Sequence, residues 1–290
     1  MRRNFFFLLT LLIISCGRNT AKPDSNIITV SIAPFKYFVE EIAGNDFTVN
    51  IMVPAGADPH VYEPFPEQIN KLRKSVAYIS NGYLGFEMNW LDRFYEANPT
   101  MKKLSLGNNI IPIAPDQHRK GGNIEGADPH YWVSPKCALL MAESVRALLC
   151  ELNPSQKQKY DINYNLLISK IQEIDKKADG YFSHSQSRSF MIYHPNLAYL
   201  AKDYGLEEIP VEFEGKEPTP SRLRDLIDLS RKDHIKIIFV QREYDTKNAK
   251  VIAGEIGAQI DIIDPLSENW ANSMNEIIEA LHLSLIDSSK

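Results

Sequence analysis

Strands and helices alternate along almost the whole of this chain, and that alternation restricts the fold more than any other feature of the sequence. Short apolar, β-branched runs stand at 27–33, 47–53, 76–80 and 103–106, with stretches of helical apolar spacing between them. The same scheme recurs at 189–193, 209–213, 235–240 and 259–263. A parallel neighbour needs a crossover long enough to hold a helix, so strands separated by helices pair in parallel. Such sheets are then covered by helices. Between the two arrays lies the longest helical pattern, 155–181, where Tyr160, Tyr164, Leu167, Ile168, Ile171 and Ile174 recur at helical spacing. At about 1.5 Å per residue it is roughly 40 Å long. The expected class is therefore α/β: two βα lobes, each a parallel-type four-stranded sheet covered by helices, joined by one long rigid helix. The expected divisions are an N-terminal lobe at 27–153, a linking helix at 154–186 and a C-terminal lobe at 187–290.

The first 26 residues stand outside this pattern. Arg2 and Arg3 precede an apolar run from Phe5 to Ile14, which is too short to span a bilayer as a mature helix. Ile13-Ile14-Ser15-Cys16-Gly17 then resembles a bacterial lipobox, with Cys16 as the lipidated residue. That assigns 1–15 to a signal peptide and 16–26 to a lipidated tether. It places the protein outside the cytoplasm, in the periplasm or at the cell surface, anchored to the membrane by lipid. A plain signal peptide ending near a cysteine is the alternative. With a formal net charge of -5 and no long basic run beyond the first three residues, nothing marks a nucleic-acid partner. Cys137 and Cys150 fall at opposite ends of one expected helix, roughly 20 Å apart, which excludes a disulfide between them. They are expected as buried, inert thiols.

Gly-Ala-Asp-Pro-His occurs twice, at 56–60 and 126–130. Proline fixes its own φ and biases the preceding residue away from helix, so each histidine leaves a stiff turn. That suits a metal ligand; an ordinary surface turn is the alternative for either copy alone. His194 and Asp264 each follow a strand end, and so does His60, where open α/β sheets bind their ligands. The candidate ligands are thus His60, His130, His194 and Asp264, three imidazoles and a carboxylate able to fill a tetrahedral zinc shell. His60 and His130 come from the first lobe, the other two from the second, so a metal would bridge the lobes. His184, His234 and His282 have no partner motif. Asp58 and Asp128 could orient their histidines or cap their turns.

Val53 to Pro64, Asp128 to Trp132, Tyr193-His194 with Tyr199 to Leu206, Glu214 to Pro220, and Asp264-Pro265-Leu266 together resemble the solute-binding lipoproteins of zinc/manganese ABC importers. The resemblance implies a metal held at the lobe interface by three histidines and one carboxylate, a long helix between lobes, and delivery to a membrane permease. Manganese-type members place a glutamate where this chain has His194. Three imidazoles favour zinc over manganese, so Zn2+ is expected as the transported ligand, with a manganese- or iron-binding member of the family as the alternative. Many zinc-type members carry a histidine-rich tract before the second Asp-Pro-His; here that loop holds His118 alone. Glu214 and Glu217 match the family's loop without a role that the residues themselves define. The partners expected are Zn2+, the importer's permease and, through the lipid, the membrane, with the protein itself a monomer. The rivals are a zinc-dependent hydrolase, which the four candidate ligands disfavour because catalytic zinc keeps an open position, and a surface adhesin.

Overall fold

Residues 26–113, 126–212 and 218–288 are described by the structure, a computed structural model. The signal segment with Cys16, the loop with His118, and Glu214 and Glu217 lie outside the described residues. The first sheet is built around β1 (Ile27–Ile32), a run of β-branched residues buried on both faces. Its hydroxyls are satisfied inside: Thr29 Oγ1 pairs with Ser75 Oγ at 2.7 Å, and Ser31 Oγ pairs with the Tyr78 hydroxyl at 3.0 Å. The sheet runs β2 (Thr48–Val53), β1, β3 (Ser75–Ser80), β4 (Lys102–Ser105), all parallel. The second sheet repeats that order with β6 (Glu207–Pro210), β5 (Ser189–Ile192), β7 (Ile237–Gln241) and β8 (Gln259–Ile263), again all parallel. In each sheet the first strand has the second on one side and the third on the other. The crossovers therefore leave in opposite directions and open a crevice at the carboxyl ends of the strands.

Helices α1 (Ala33–Ala43), α2 (Pro66–Leu72), α3 (Gly85–Ala97) and α4 (Pro135–Leu152) belong to the first array. Pro135 opens α4 at its first position, and the Ser134 hydroxyl caps it by accepting from the Cys137 N–H. Then comes α5 (Lys157–Phe182), 26 residues and about 39 Å long. Its buried stripe, Tyr160, Leu167, Ile171, Ile174, Ala178 and Phe182, packs on α1, α4 and the last helix. The second array adds α6 (Ala198–Tyr204), α7 (Pro220–Lys232), α8 (Thr246–Ile256) and α9 (Trp270–Ser288). Gly205 and Gly257 end α6 and α8 in the left-handed conformation, which glycine adopts without steric cost. No helix among the described residues is long and apolar enough to cross a membrane.

Strand bounds shift locally from the sequence expectation. The strand expected at 209–213 begins at Glu207, because ladder pairing with β5 runs through the backbone of both glutamates. After β5 the chain does not enter α6 until Ala198, because the Asn196 and Leu197 N–H groups turn first onto the Glu208 carboxylate, at 3.0 and 2.6 Å. Cys137 and Cys150 are free, as expected, but partly rather than fully buried.

The core does not stop at the lobe boundary. Alternation in β5 and β7 sends Phe190, Ile192 and Phe239 to one face and Met191, Tyr193, Ile238 and Val240 to the other. The first face joins the core of the N-terminal array together with α5 and α9; the second forms a smaller core under α7 and α8. Two indoles tie the arrays across this shared core. Trp132 Nε1 donates to the Pro265 carbonyl at 2.9 Å, and Trp270 Nε1 donates to the Trp132 carbonyl at 2.6 Å. Both rings are buried. Trp270→Phe leaves the Trp132 carbonyl unpaired and is expected to cost about 1–3 kcal/mol in urea unfolding.

Candidate metal centre

The loop from 54 to 65 carries His60 away from the end of β2. Asp58 Oδ1 accepts the His60 N–H at 2.8 Å, closing the turn that the sequence predicts. Gln68, on α2, staples the loop's far side. Its Oε1 accepts from the Tyr62 hydroxyl and the Phe65 N–H, both at 2.8 Å, while its Nε2 donates to the Met52 carbonyl at 2.7 Å. Gly85, at the start of α3, lies so close beneath that a Cβ there would stand 2.6 Å from the His60 carbonyl oxygen. Only glycine lets the loop settle at that depth.

The second pentapeptide is held by the end of β3. Asn81 donates from Nδ2 to the Pro129 carbonyl at 3.0 Å, and its own carbonyl accepts from the Tyr131 hydroxyl at 2.8 Å. Buried Glu87 fixes Asn81 in turn, accepting the Asn81 N–H at 2.8 Å and the Gly82 N–H at 2.6 Å. Burial raises the Glu87 carboxyl to about 7 against the pull of those hydrogen bonds. Asp128 Oδ1 accepts both the His130 N–H and, from the ring, Nδ1, each at 2.8 Å. Burial alone would raise the Asp128 carboxyl, but attraction to His130 and these two bonds hold it below its ordinary value. From the other array, the Tyr199 hydroxyl donates to the Asp128 carbonyl at 2.9 Å.

His194 leaves the end of β5. Its Nδ1 bonds Glu212 Oε1, its carbonyl accepts from Gln241 Nε2 at 2.5 Å, and its ring stacks on Tyr244 with centroids 4.9 Å apart and planes at 19°. The turn beneath it is the one bound by Glu208, whose carboxyl burial raises to about 8. His194 Nε2 is buried and has no hydrogen-bond partner.

The three imidazoles meet. Their ring centroids lie 5.2 Å (His60–His130), 5.1 Å (His60–His194) and 5.3 Å (His130–His194) apart. One ring nitrogen from each lies within 4.8 Å of the others, and His60 Nε2 stands 3.3 Å from His130 Nε2. A carboxylate on Nδ1 of His130 and of His194 fixes the proton there and turns Nε2 inward as a lone pair. Burial, and after it the neighbouring imidazoles, depress His60 to about 3, so it is neutral at neutral pH. The centre is thus a converging set of ring nitrogen donors.

Asp264 is not one of this group. It follows β8 as expected, but its Oδ2 pairs with Arg242 Nη1 at 2.9 Å. His282 stacks on Tyr181 with centroids 3.8 Å apart and is no member of the group; nor are His184 and His234. Reasoning from sequence missed Glu212, Gln241, Tyr244 and Arg242. All four follow or end strands, so the strand-end rule that selected His194 would also have drawn attention to them. Glu243 lies among them, half-buried. Its carboxyl is raised to about 7, by burial first and then by the charge of Asp264, against the opposing pull of its own N–H and His194.

A family model described as zinc-uptake complex component A, periplasmic, matches residues 28–283, and the chain belongs to that family of uptake components. Among its relatives, the zinc-binding lipoprotein AdcA of Streptococcus pneumoniae strain R6 is 24% identical over 94% of this chain. The chain spans only 58% of that relative's length. The high-affinity zinc uptake system protein ZnuA of Bacillus subtilis is 23% identical, over 88% of this chain and 85% of its own. A crystal structure of ZnuA superposes with a TM-score of 0.83 at 33% identity, covering 90% of this chain and 100% of that one. A ZnuA deletion mutant with zinc bound gives 0.82 at the same 33% identity, covering 90% of this chain and 98% of that one.

Gly85→Ala is expected to push the His60 loop outward and to weaken metal binding by about tenfold or more while leaving the unfolding midpoint nearly unchanged, as calorimetry and thermal melts would read. The metal-free protein should also lose stability in acid through His60. Unfolded, this imidazole takes up a proton near about 6.5; folded, near about 3. Its contribution is complete above the higher value and is lost as pH falls through the interval. Thermal melts from pH 7.5 to pH 5 should show a smaller decline in His60→Gln than in the parent.

Proposed function

We propose that this chain is an extracytoplasmic binding protein that captures Zn2+ between its two lobes and delivers it to the permease of an ABC importer. His60, His130 and His194 are the ligands in this reading. The observation that carries it is the buried, partnerless Nε2 of His194, in a group where one ring nitrogen from each of the three imidazoles lies within 4.8 Å of the others. A buried polar atom without a partner costs stability unless a ligand satisfies it. Zinc binds imidazole nitrogen at about 2.0–2.1 Å and accepts three such donors readily. Nitrogen-rich sites favour it over manganese, which suits carboxylate and water oxygens. The zinc-bound relative at 33% identity and the family's description as a zinc-uptake component support the same cargo.

Three converging imidazoles remove one argument against an enzyme. The three imidazoles by themselves leave a fourth position, as catalytic zinc sites do. Membership in a family of uptake components decides the matter instead, and the zinc is cargo rather than a hydrolytic cofactor. In this reading the mature protein is a monomer tethered to the membrane by lipid on Cys16, which keeps it beside its permease.

Calorimetry on chelator-stripped protein should find about one tightly bound zinc per chain. His130→Ala and His194→Ala should each weaken it by about two orders of magnitude or more. Unchanged affinity in both variants would refute the assignment.

A further inference from the structure

One hydroxyl reaches from the second half of the centre to the first. It belongs to Tyr199, on the opening turn of α6, five residues after His194. The side chain is buried. Its oxygen accepts the Ile113 N–H at 3.1 Å and donates to the Asp128 carbonyl at 2.9 Å, while the Asp128 N–H donates to the Ile113 carbonyl at 3.0 Å. These three bonds close a ring on the segment that leads into the second pentapeptide. Burial raises the Tyr199 phenol further above its ordinary value, so it stays protonated and able to donate. The tie ends close to a histidine on either side. In the first array, Asp128 orients His130 through Nδ1 at 2.8 Å. In the second, α6 leaves the turn that Glu208 binds beneath His194.

We propose that Tyr199 is a positioning residue of the metal centre: its hydroxyl holds the Asp128–His130 segment of the first array against the helix that follows His194, and so sets the spacing at which one zinc is bound by both imidazoles. This inference rests on the reading of the three histidines as zinc ligands. Zinc takes imidazole nitrogen at about 2.0–2.1 Å, so a small displacement of one array against the other stretches a metal bond. The hydroxyl touches neither ring. Without it, Asp128 still orients His130 and Glu212 still orients His194; what it frees is the distance between them. The effect therefore belongs to the pair of ligands and not to either one. A looser tie shortens the time that both arrays stay closed on the ion, so the loss should appear in release more than in capture.

The test is zinc release to a chromogenic chelator by stopped flow, with equilibrium competition and thermal melts on the same samples. Metal-stripped, full-length parent is compared with Tyr199→Phe, Tyr204→Phe, His130→Ala and the double variant Tyr199→Phe/His130→Ala. Tyr199→Phe keeps the ring and removes the oxygen. It should weaken zinc by about tenfold, nearly all of it as a faster off-rate. Tyr204→Phe controls for a merely structural role: at the other end of α6 it removes a hydroxyl that donates to Asp175 Oδ1 at 2.7 Å. It should lower the melting temperature and leave zinc affinity within about twofold. In the His130→Ala background, loss of the Tyr199 hydroxyl should change zinc affinity by less than about twofold, because the spacing it sets no longer joins two ligands. A parent-like off-rate in Tyr199→Phe overturns the inference. So does an equal loss of affinity in Tyr204→Phe, or a Tyr199→Phe penalty that persists in the double variant. If the parent binds no zinc, or His130→Ala binds it as well as the parent does, the histidine assignment itself falls and takes this inference with it. Zinc binding that His130→Ala weakens and Tyr199→Phe does not would overturn the role of Tyr199 alone.

Discussion

The centre depends on two carboxylate–imidazole hydrogen bonds, Asp128 to His130 and Glu212 to His194. Each sets the tautomer of its ring and points the other nitrogen at the crevice. Without them, three imidazoles with centroids little more than 5 Å apart would be a poor arrangement. Their rings could rotate, and any proton gained would repel the neighbours. Burial removes the second hazard by keeping His60 neutral. The result is preorganisation: the donors are oriented before a cation arrives, so little ordering remains to be done on binding.

A further layer of buried acids holds the loops that hold the histidines. Glu87 receives the N–H groups of Asn81 and Gly82, and Glu208 receives those of Asn196 and Leu197. Both stand at places where the chain leaves a strand and does not immediately enter a helix. The backbone donors there have no ladder partner, and a buried carboxyl replaces the missing one. Burial raises both carboxyls towards neutrality. Each array thus contains one internal acid that stabilises the exit loop nearest to its histidine.

The two arrays are less independent than their repeated topology suggests. One face of the second sheet, α5 and α9 contribute to the core of the first array, and the reciprocal indole bonds of Trp132 and Trp270 cross the same region. Trp132 follows His130 by two residues, and the carbonyl it binds follows Asp264 by one. The shared core therefore fixes the distance between histidines drawn from opposite lobes. A continuous apolar contact resists shear more strongly than a hinge made of one helix would.

Much of this was legible in the chain itself. Alternating strands and helices determined two parallel sheets, because intervening helices allow nothing else, and the bounds of α4 and α8 follow from Ser134-Pro135, Asn153, Asp245 and Gly257. The strand-end rule and the doubled pentapeptide selected His60, His130 and His194, which the fold brings together. The pentapeptides also mark the limit of such reading. Identical in sequence, they differ in use: Asp58 closes its turn, whereas Asp128 closes its turn and also orients its histidine. Burial and neighbouring chains make that difference, and neither is written in five residues. Asp264 shows the same limit from the other side. Its place after β8 was evident from local pattern, but its partner was decided by the register of β7 against β8, a contact between segments more than twenty residues apart. Sequence determined which donors reach the carboxyl edges of the sheets; only the tertiary structure decided which of them face one another, because side-chain partners across strands are set by register and packing, not by proximity along the chain.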